Sequence, residues 1–203
     1  ESWILSPLCP SEDGRSDETI DPATVTMDNV YSDLRDLGTL FDERERAEEV
    51  IADMESTIEE VSRALDGHVS EEDRPTVMIG RPGDQGFRVA GGPDFSTEIL
   101  GLAGAVNAFA DLEGRRNHEV STEDVIARDP DFVLVDVCCD AQMTSADAAP
   151  QVEQIMSDPA LANLTAVTEG QVRGFTFADR SAGVRSAYAV EKIARIIHPD
   201  LFA

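Results

Sequence analysis

The sequence predicts an α/β chain with a mostly parallel sheet in three layers and one long helix ahead of it. Three observations carry this. The apolar runs Thr76-Val77-Met78-Ile79 and Phe132-Val133-Leu134-Val135-Asp136-Val137 have the length and β-branched content of buried strands. Helix-period segments separate such runs, and strands that alternate with helices are joined by crossovers into parallel sheets. Upstream, apolar residues recur three and four apart at Ala47, Val50, Ile51, Met54, Ile58, Val61 and Leu65, with acids on the other face.

Element by element, Trp3-Ile4-Leu5-Ser6 reads as a short strand stopped by Pro7 and Pro10, and 11–22 as a polar loop. A helix is expected from Met27 to Leu37, stopping at Gly38. Asp42 then offers an N-cap, with Glu45 three positions on, for a helix over 43–65 that Gly67 closes. Its length would be about 35 Å at about 1.5 Å per residue. Ser70-Glu71-Glu72-Asp73 is a linker. Gly80-Arg81-Pro82-Gly83-Asp84-Gln85-Gly86 runs from the first strand into a second, Phe87–Ala90. It is therefore a tight connection, not a phosphate loop, because no helix N-terminus follows to receive an anion. Helices are expected over Phe95–Ala105, Thr122–Arg128 and Asp147–Met156, and a strand over Val172–Phe175. The closing helix, Gly183–Ile197, presents Val184, Ala187, Tyr188, Val190, Ile193, Ala194 and Ile197.

The 203 residues are 41% hydrophobic, enough for an ordinary core. With 41 acidic against 16 basic residues the net charge is −25, which argues against nucleic acid or an anionic membrane surface as partner. Lys192 is the only lysine. An acid excess with lysine nearly eliminated suits a protein working in molar salt, where self-repulsion is screened. No apolar stretch approaches the roughly 18–20 residues that cross a bilayer. No signal peptide is visible, and Glu1-Ser2-Trp3, without a methionine, reads as a processing or proteolytic boundary. His68, His118 and His198 lack ligand spacing, and no GxSxG, HExxH or P-loop lysine occurs, so neither catalytic residue, metal site nor cofactor is expected. Cys138-Cys139 lies just past the strongest strand. The pair could ligate a soft metal, one of them could bridge to Cys9, or both could be small buried residues.

The segment Val120-Ser121-Thr122-Glu123-Asp124-Val125-Ile126-Ala127-Arg128-Asp129-Pro130-Asp131-Phe132-Val133-Leu134-Val135 resembles a signature of ABC-transporter substrate-binding proteins for iron–siderophores, haem and vitamin B12. Further segments follow in that family's order. Ser96-Thr97-Glu98-Ile99-Leu100-Gly101-Leu102-Ala103-Gly104-Ala105-Val106-Asn107 looks like its helix ending in "aGg-x-N", and Ala110-Asp111-Leu112-Glu113-Gly114 like the stretch after it. Asp158-Pro159 through Ala166-Val167, with Gly170-Gln171-Val172, and the ending His198-Pro199-Asp200-Leu201-Phe202 are also similar.

The resemblance implies two α/β lobes on a single hinge helix. Residues 1–42 would be the remnant of the amino-terminal lobe, 43–66 the hinge helix and 74–203 the carboxyl-terminal lobe. It implies a binding component of an importer, not an enzyme, monomeric and held at the outer face of the cytoplasmic membrane by a lipid anchor. Its partners would be a metal chelate (ferric siderophore, haem or cobalamin) and the transporter's permease. A chelatase-like protein of similar two-lobed architecture is the alternative. Ligand residues vary too much in the family to carry over. Geometry, placing the cleft at the carboxyl ends of the strands, nominates Arg81, Phe87, Asp136, Phe177 and Arg180 as its wall. Arginines there would favour an anionic chelate. Glu123 matches the glutamate that docks on permease arginines. An acid there also suits the helix dipole, a role Asp124 could fill equally.

Overall fold

The computed structural model describes residues 25–202, apart from 115, 139 and 141. The strand expected at Trp3-Ile4-Leu5-Ser6, the loop after it, Cys9 and Cys139 lie outside the described residues.

Two helices come first, α1 (Met27–Leu40) and α2 (Arg44–Leu65). α1 runs past Gly38, which the sequence reading took as its end. That glycine serves packing: a Cβ there would stand 2.7 Å from the Ala47 Cβ of α2. Nor is Asp42 the N-cap. It takes a left-handed conformation, φ 58°, in the turn between the helices, and Glu43 caps α2 without a side-chain bond. The stripe along α2 packs as its spacing implies: Ala47, Ile51, Met54 and Val61 are buried, and Val50, Ile58 and Leu65 lie against the same core. Gly67, at φ 72°, follows the helix.

The remaining elements are β1 (Thr76–Gly83), β2 (Gly86–Ala90), α3 (Ser96–Leu102), β3 (Val106–Asn107), β4 (Asn117–Val120), α4 (Thr122–Arg128), β5 (Phe132–Val137), α5 (Ala149–Ser157), α6 (Thr165–Thr168), β6 (Val172–Thr176), α7 (Phe177–Arg180) and α8 (Ser186–Ile197). The strand order is β4-β2-β1-β5-β6, with β3 also against β1. β1 runs parallel to β3 and β5, and β5 to β6, whereas β2 is antiparallel to both β1 and β4. The connection is shorter than the sequence suggests: Gly80–Gly83 extends β1 beyond Ile79, and only Asp84-Gln85 turns, with Gly83 opposite Gly86.

Alternation along the strands builds two cores. Val77, Ile79, Leu134 and Phe175 face α1, α2, α3 and α8; Met78, Phe87, Val89, Val133, Val135 and Val172 face Val125 of α4, Ile155 of α5 and Ala166 of α6. The sheet between two helical layers is the expected fold class. Some boundaries differ. The helix expected to reach Ala105 ends at Leu102, because Gly104 turns the chain at φ 79° against the Leu65 side chain. α8 begins only at Ser186, whose Oγ accepts the Gly183 N–H at 3.0 Å. Val184 and Tyr188, counted in its apolar stripe, are exposed, and the Tyr188 hydroxyl instead donates to Asp53 of α2.

Family-like segments act here as fasteners. Asp131 accepts the Thr76 N–H at 2.7 Å and its hydroxyl at 2.8 Å, tying the start of β5 to the start of β1. Asp129 accepts from the N–H and hydroxyl of Thr165, holding the first turn of α6. Buried Asn107 donates to the carbonyls of Ala90 and Gly91 and accepts the Phe109 N–H. Hydrogen bonds to a charged acceptor contribute about 1.5–3 kcal/mol each, and the Asp131 pair shares one carboxylate oxygen. Asp131→Ala is therefore expected to lower unfolding free energy by about 2–3 kcal/mol in urea titrations. A loss below about 0.5 kcal/mol would show that the clamp is dispensable.

Candidate ligand-binding site

The carboxyl ends of β1, β5 and β6 converge on one edge of the sheet, where ligands of open α/β folds sit. Arg81 comes from β1, Asp136 from β5, and Phe177 and Arg180 from α7, which follows β6 directly. α7 forms there because Thr176 caps it: the Thr176 side chain accepts the Asp179 N–H at 3.2 Å.

Four of the five residues nominated from sequence meet. Arg81 Nη1 lies 3.2 Å from Asp136 Oδ1, and Arg180 Nε 3.3 Å from Asp136 Oδ2. The Arg180 guanidinium also stacks over the Phe177 ring at 5.2 Å. Phe87 does not join them. It points to the opposite face of the sheet and is 5% exposed within the second core, because side chains alternate along a strand and Arg88, the next residue, is the one that pairs with Arg81 and shares its face.

Burial sorts the four. Arg180 and Asp136 retain only 3% and 2% side-chain exposure, whereas Arg81 keeps 30%. Phe177 is 41% exposed. Arg180 thus belongs to the floor, and Arg81 and Phe177 to the surface above it.

Sequence reasoning missed two partners of that floor. Asp94 Oδ2 stands 3.6 Å from Arg180, while its Oδ1 accepts the N–H and hydroxyl of Ser96 at the start of α3. Asn117 Oδ1 accepts from Arg180 Nη2 at 2.6 Å. Asp94 follows Gly91-Gly92-Pro93 at a strand end, a readable loop signal, but Asn117 sits in a polar edge strand that has none. Burial raises the Asp136 carboxyl above the ordinary aspartate range despite the pull of Arg180 and Arg81, and the charge of Asp94 adds to the rise.

A second cluster holds α7 from behind. Asp179 accepts from Arg185 at 2.6 Å and from Lys192 at 2.8 Å; Lys192 also donates to Ser145 Oγ at 2.7 Å and lies over the Phe175 ring. The single lysine of the chain is therefore committed to this joint. Burial pushes the Asp179 carboxyl up, but bonds from Lys192 and Thr176 and the charges of Lys192 and Arg185 hold it below the ordinary range.

Glu123 is exposed on the first turn of α4, with no ion pair or hydrogen bond among the described residues. The helix-start role falls to Asp124, which accepts from the Ser121 N–H and hydroxyl while Ser121 Oγ accepts the Asp124 N–H. Cys138, directly after β5, is disulfide-bonded. Among the described residues no group of three or more His, Cys, Asp and Glu could hold a metal ion, and no helix is long and apolar enough to cross a membrane.

Because the Asp179 carboxyl is held below its usual value, its stabilising contribution is full above the ordinary aspartate value of 3.8 and fades as the pH falls through the lowered one. Asp179→Asn is expected to cost about 1.5–3 kcal/mol at neutral pH, with the gap to the parent closing in strong acid. A gap independent of pH in denaturant titrations would rule this out.

The sequence profile of a family described as periplasmic binding protein matches residues 15–177. No curated protein matches the sequence. Among solved structures, a periplasmic binding protein from Veillonella parvula superposes with a TM-score of 0.76 at 27% identity, over 87% of this chain and 58% of its own. A protein of an ABC-type Fe3+-hydroxamate transport system from Saccharomonospora viridis gives 0.72 at 24% identity, over 89% and 61%. The periplasmic heme-binding protein RhuT from Roseiflexus gives 0.71 at 22%, over 90% and 66%. The last two likenesses speak for the fold alone. The chain spans about three fifths of the length of the first two structures. A profile match over most of the sequence, on a three-layer lobe with polar groups gathered at the carboxyl ends of its parallel strands, establishes that the chain belongs to the periplasmic binding protein family.

Proposed function

We propose that this chain is the carboxyl-terminal lobe (74–203), the hinge helix (43–66) and the edge of the first lobe (within 1–42) of the substrate-binding component of an ABC importer. It works on the extracytoplasmic side, on a lipid anchor, as a monomer, and hands an iron–siderophore or cobalamin-type chelate to the permease. The single observation behind this reading is the site itself: Arg81 and Phe177 stand exposed over a floor in which Arg180 is fixed by Asp94, Asp136 and Asn117. A polar, aromatic and preformed wall suits a rigid chelate, which needs shape and a few placed donors, with little closure. A net charge of −25 further suits a protein of concentrated salt.

The test is calorimetry on the full-length protein with a ferric siderophore, haem and cobalamin. One of them is expected to bind, and Phe177→Ala to weaken it at least about tenfold by removing the ring from the wall. Failure of all three to bind would overturn the reading.

Glu123 supplies the second handle. Its carboxylate is free because Asp124 does the capping, which supports a docking role on permease arginines. Glu123→Ala should leave chelate affinity within about twofold while uptake falls at least about tenfold, a docking loss of about 1.4 kcal/mol. Asp124→Ala should lower helix stability and change uptake far less. Parental uptake by Glu123→Ala would remove the docking role.

A further inference from the structure

We propose that Asn163 is a modification site that carries an N-linked glycan in the mature protein. The proposal rests on the reading that the chain works on the extracytoplasmic side, and it goes beyond that reading by assigning a covalent modification to a named residue.

Asn163-Leu164-Thr165 is the acceptor pattern for N-glycosylation, and no other asparagine of the chain is followed two positions on by serine or threonine. A three-residue pattern also arises by chance, so its place in the fold decides. Of the four asparagines, three are tied into the structure. Asn29 Oδ1 accepts the Thr26 N–H at 2.9 Å, Asn107 is buried among backbone groups and Asn117 holds Arg180. Asn163 is exposed, and its side chain makes no hydrogen bond among the described residues. It sits in the turn before α6, between Leu161 and Leu164, which are buried in the second core. The two leucines hold the turn down and leave the amide between them to solvent, with only the small, exposed Ala160 and Ala162 just ahead of it.

The turn lies at the amino ends of β5 and β6, because Thr165 is bonded to Asp129 just before β5 and α6 leads into β6. About 15–20 Å of strand separates it from the carboxyl edge where Arg180 and Phe177 stand. Glu123 is at the far end of α4 from Asp129. A bulky group on Asn163 therefore obstructs neither the ligand wall nor the proposed docking face.

The donor is a lipid-linked oligosaccharide. The Asn163 amide nitrogen bonds to the anomeric carbon of the first sugar as that carbon's bond to the lipid phosphate breaks. The lipid phosphate leaves with the electron pair, and the amide nitrogen gives up one proton. The Thr165 hydroxyl, the other half of the acceptor pattern, is committed to Asp129 in the folded chain. Transfer therefore precedes closure of this joint.

The test is mass spectrometry on the full-length protein purified from its own cells, reduced and digested with trypsin. Cleavage after Arg128 and Arg173 releases a peptide, 129–173, in which Asn163 is the only asparagine. Fragmentation is expected to place a sugar mass on Asn163, and Asn163→Gln expressed in the same cells to lack it. Thr165→Ala would also break the bond to Asp129, so the asparagine is the residue to change. A peptide found only at its unmodified mass, or with sugar only on serine or threonine, in protein recovered from outside the cytoplasmic membrane would overturn the glycan and leave the extracytoplasmic reading standing. Recovery of the protein from the cytosol alone would overturn both.

Discussion

The guanidinium of Arg180 is the charge around which the carboxyl edge of the sheet is organised. A buried guanidinium is tolerable only where counter-charges and acceptors surround it, and here the carboxylates of Asp94 and Asp136 supply the first and the Asn117 side chain the second. Removing one partner of such a set leaves a buried charge uncompensated, typically at about 3–5 kcal/mol. The β2–α3 loop with Asp94 and the strands β4 and β5 with Asn117 and Asp136 therefore hold one another in register. α7 is fixed on its other side by Asp179 to α8, and α8 in turn packs on α2, where Tyr188 bonds to Asp53. The floor of the site is thereby fastened to the long helix through a continuous chain of packed and charged contacts. As the wall of the proposed cleft it would be largely preformed, leaving little ordering cost for binding.

Asp179 and Asp136, two of the buried carboxylates of this region, answer pH in opposite senses. Asp179 is held low by its cationic partners, so its stabilising effect is present at neutral pH and fades in acid. Asp136 is raised by burial, so its contribution is fullest in acid and declines as the pH rises through its folded value.

What was legible in the sequence followed burial. β5 and α4 match their expected bounds because each is set by strong local signals, for β5 an apolar run with valine at alternate positions and for α4 a Ser121 N-cap. β4 was missed because Asn117-His118-Glu119-Val120 is a polar edge strand whose only reason to be extended is β2 beside it. α6 and α7 are single turns held by Asp129 and Thr176, too short for any periodicity. In the site, Arg81 and Asp136 were readable as residues at strand ends. Phe87 was misplaced because the tight turn between Gly83 and Gly86 sets the hairpin register, and a shift of one residue exchanges the two faces.

Electrostatics explains why arginine suits the site we propose. At −25 the protein's own field repels anions at long range, and a basic patch would be opposed by everything around it. In about 1 M salt the Debye length shrinks to roughly 3 Å, so that repulsion vanishes beyond the first contact shell, and so does any long-range attraction. Recognition is left to groups that act at hydrogen-bond distance in a fixed geometry. A guanidinium fork does this and a mobile ammonium does not. The single lysine, Lys192, is used where mobility is already removed, clasped by Asp179 and Ser145 behind α7. Arg81 and Arg88 share one face of the β1–β2 hairpin with Asp84 and Glu119 lining the same groove, so in a screened solvent selection there would rest on fixed hydrogen-bond geometry more than on net charge.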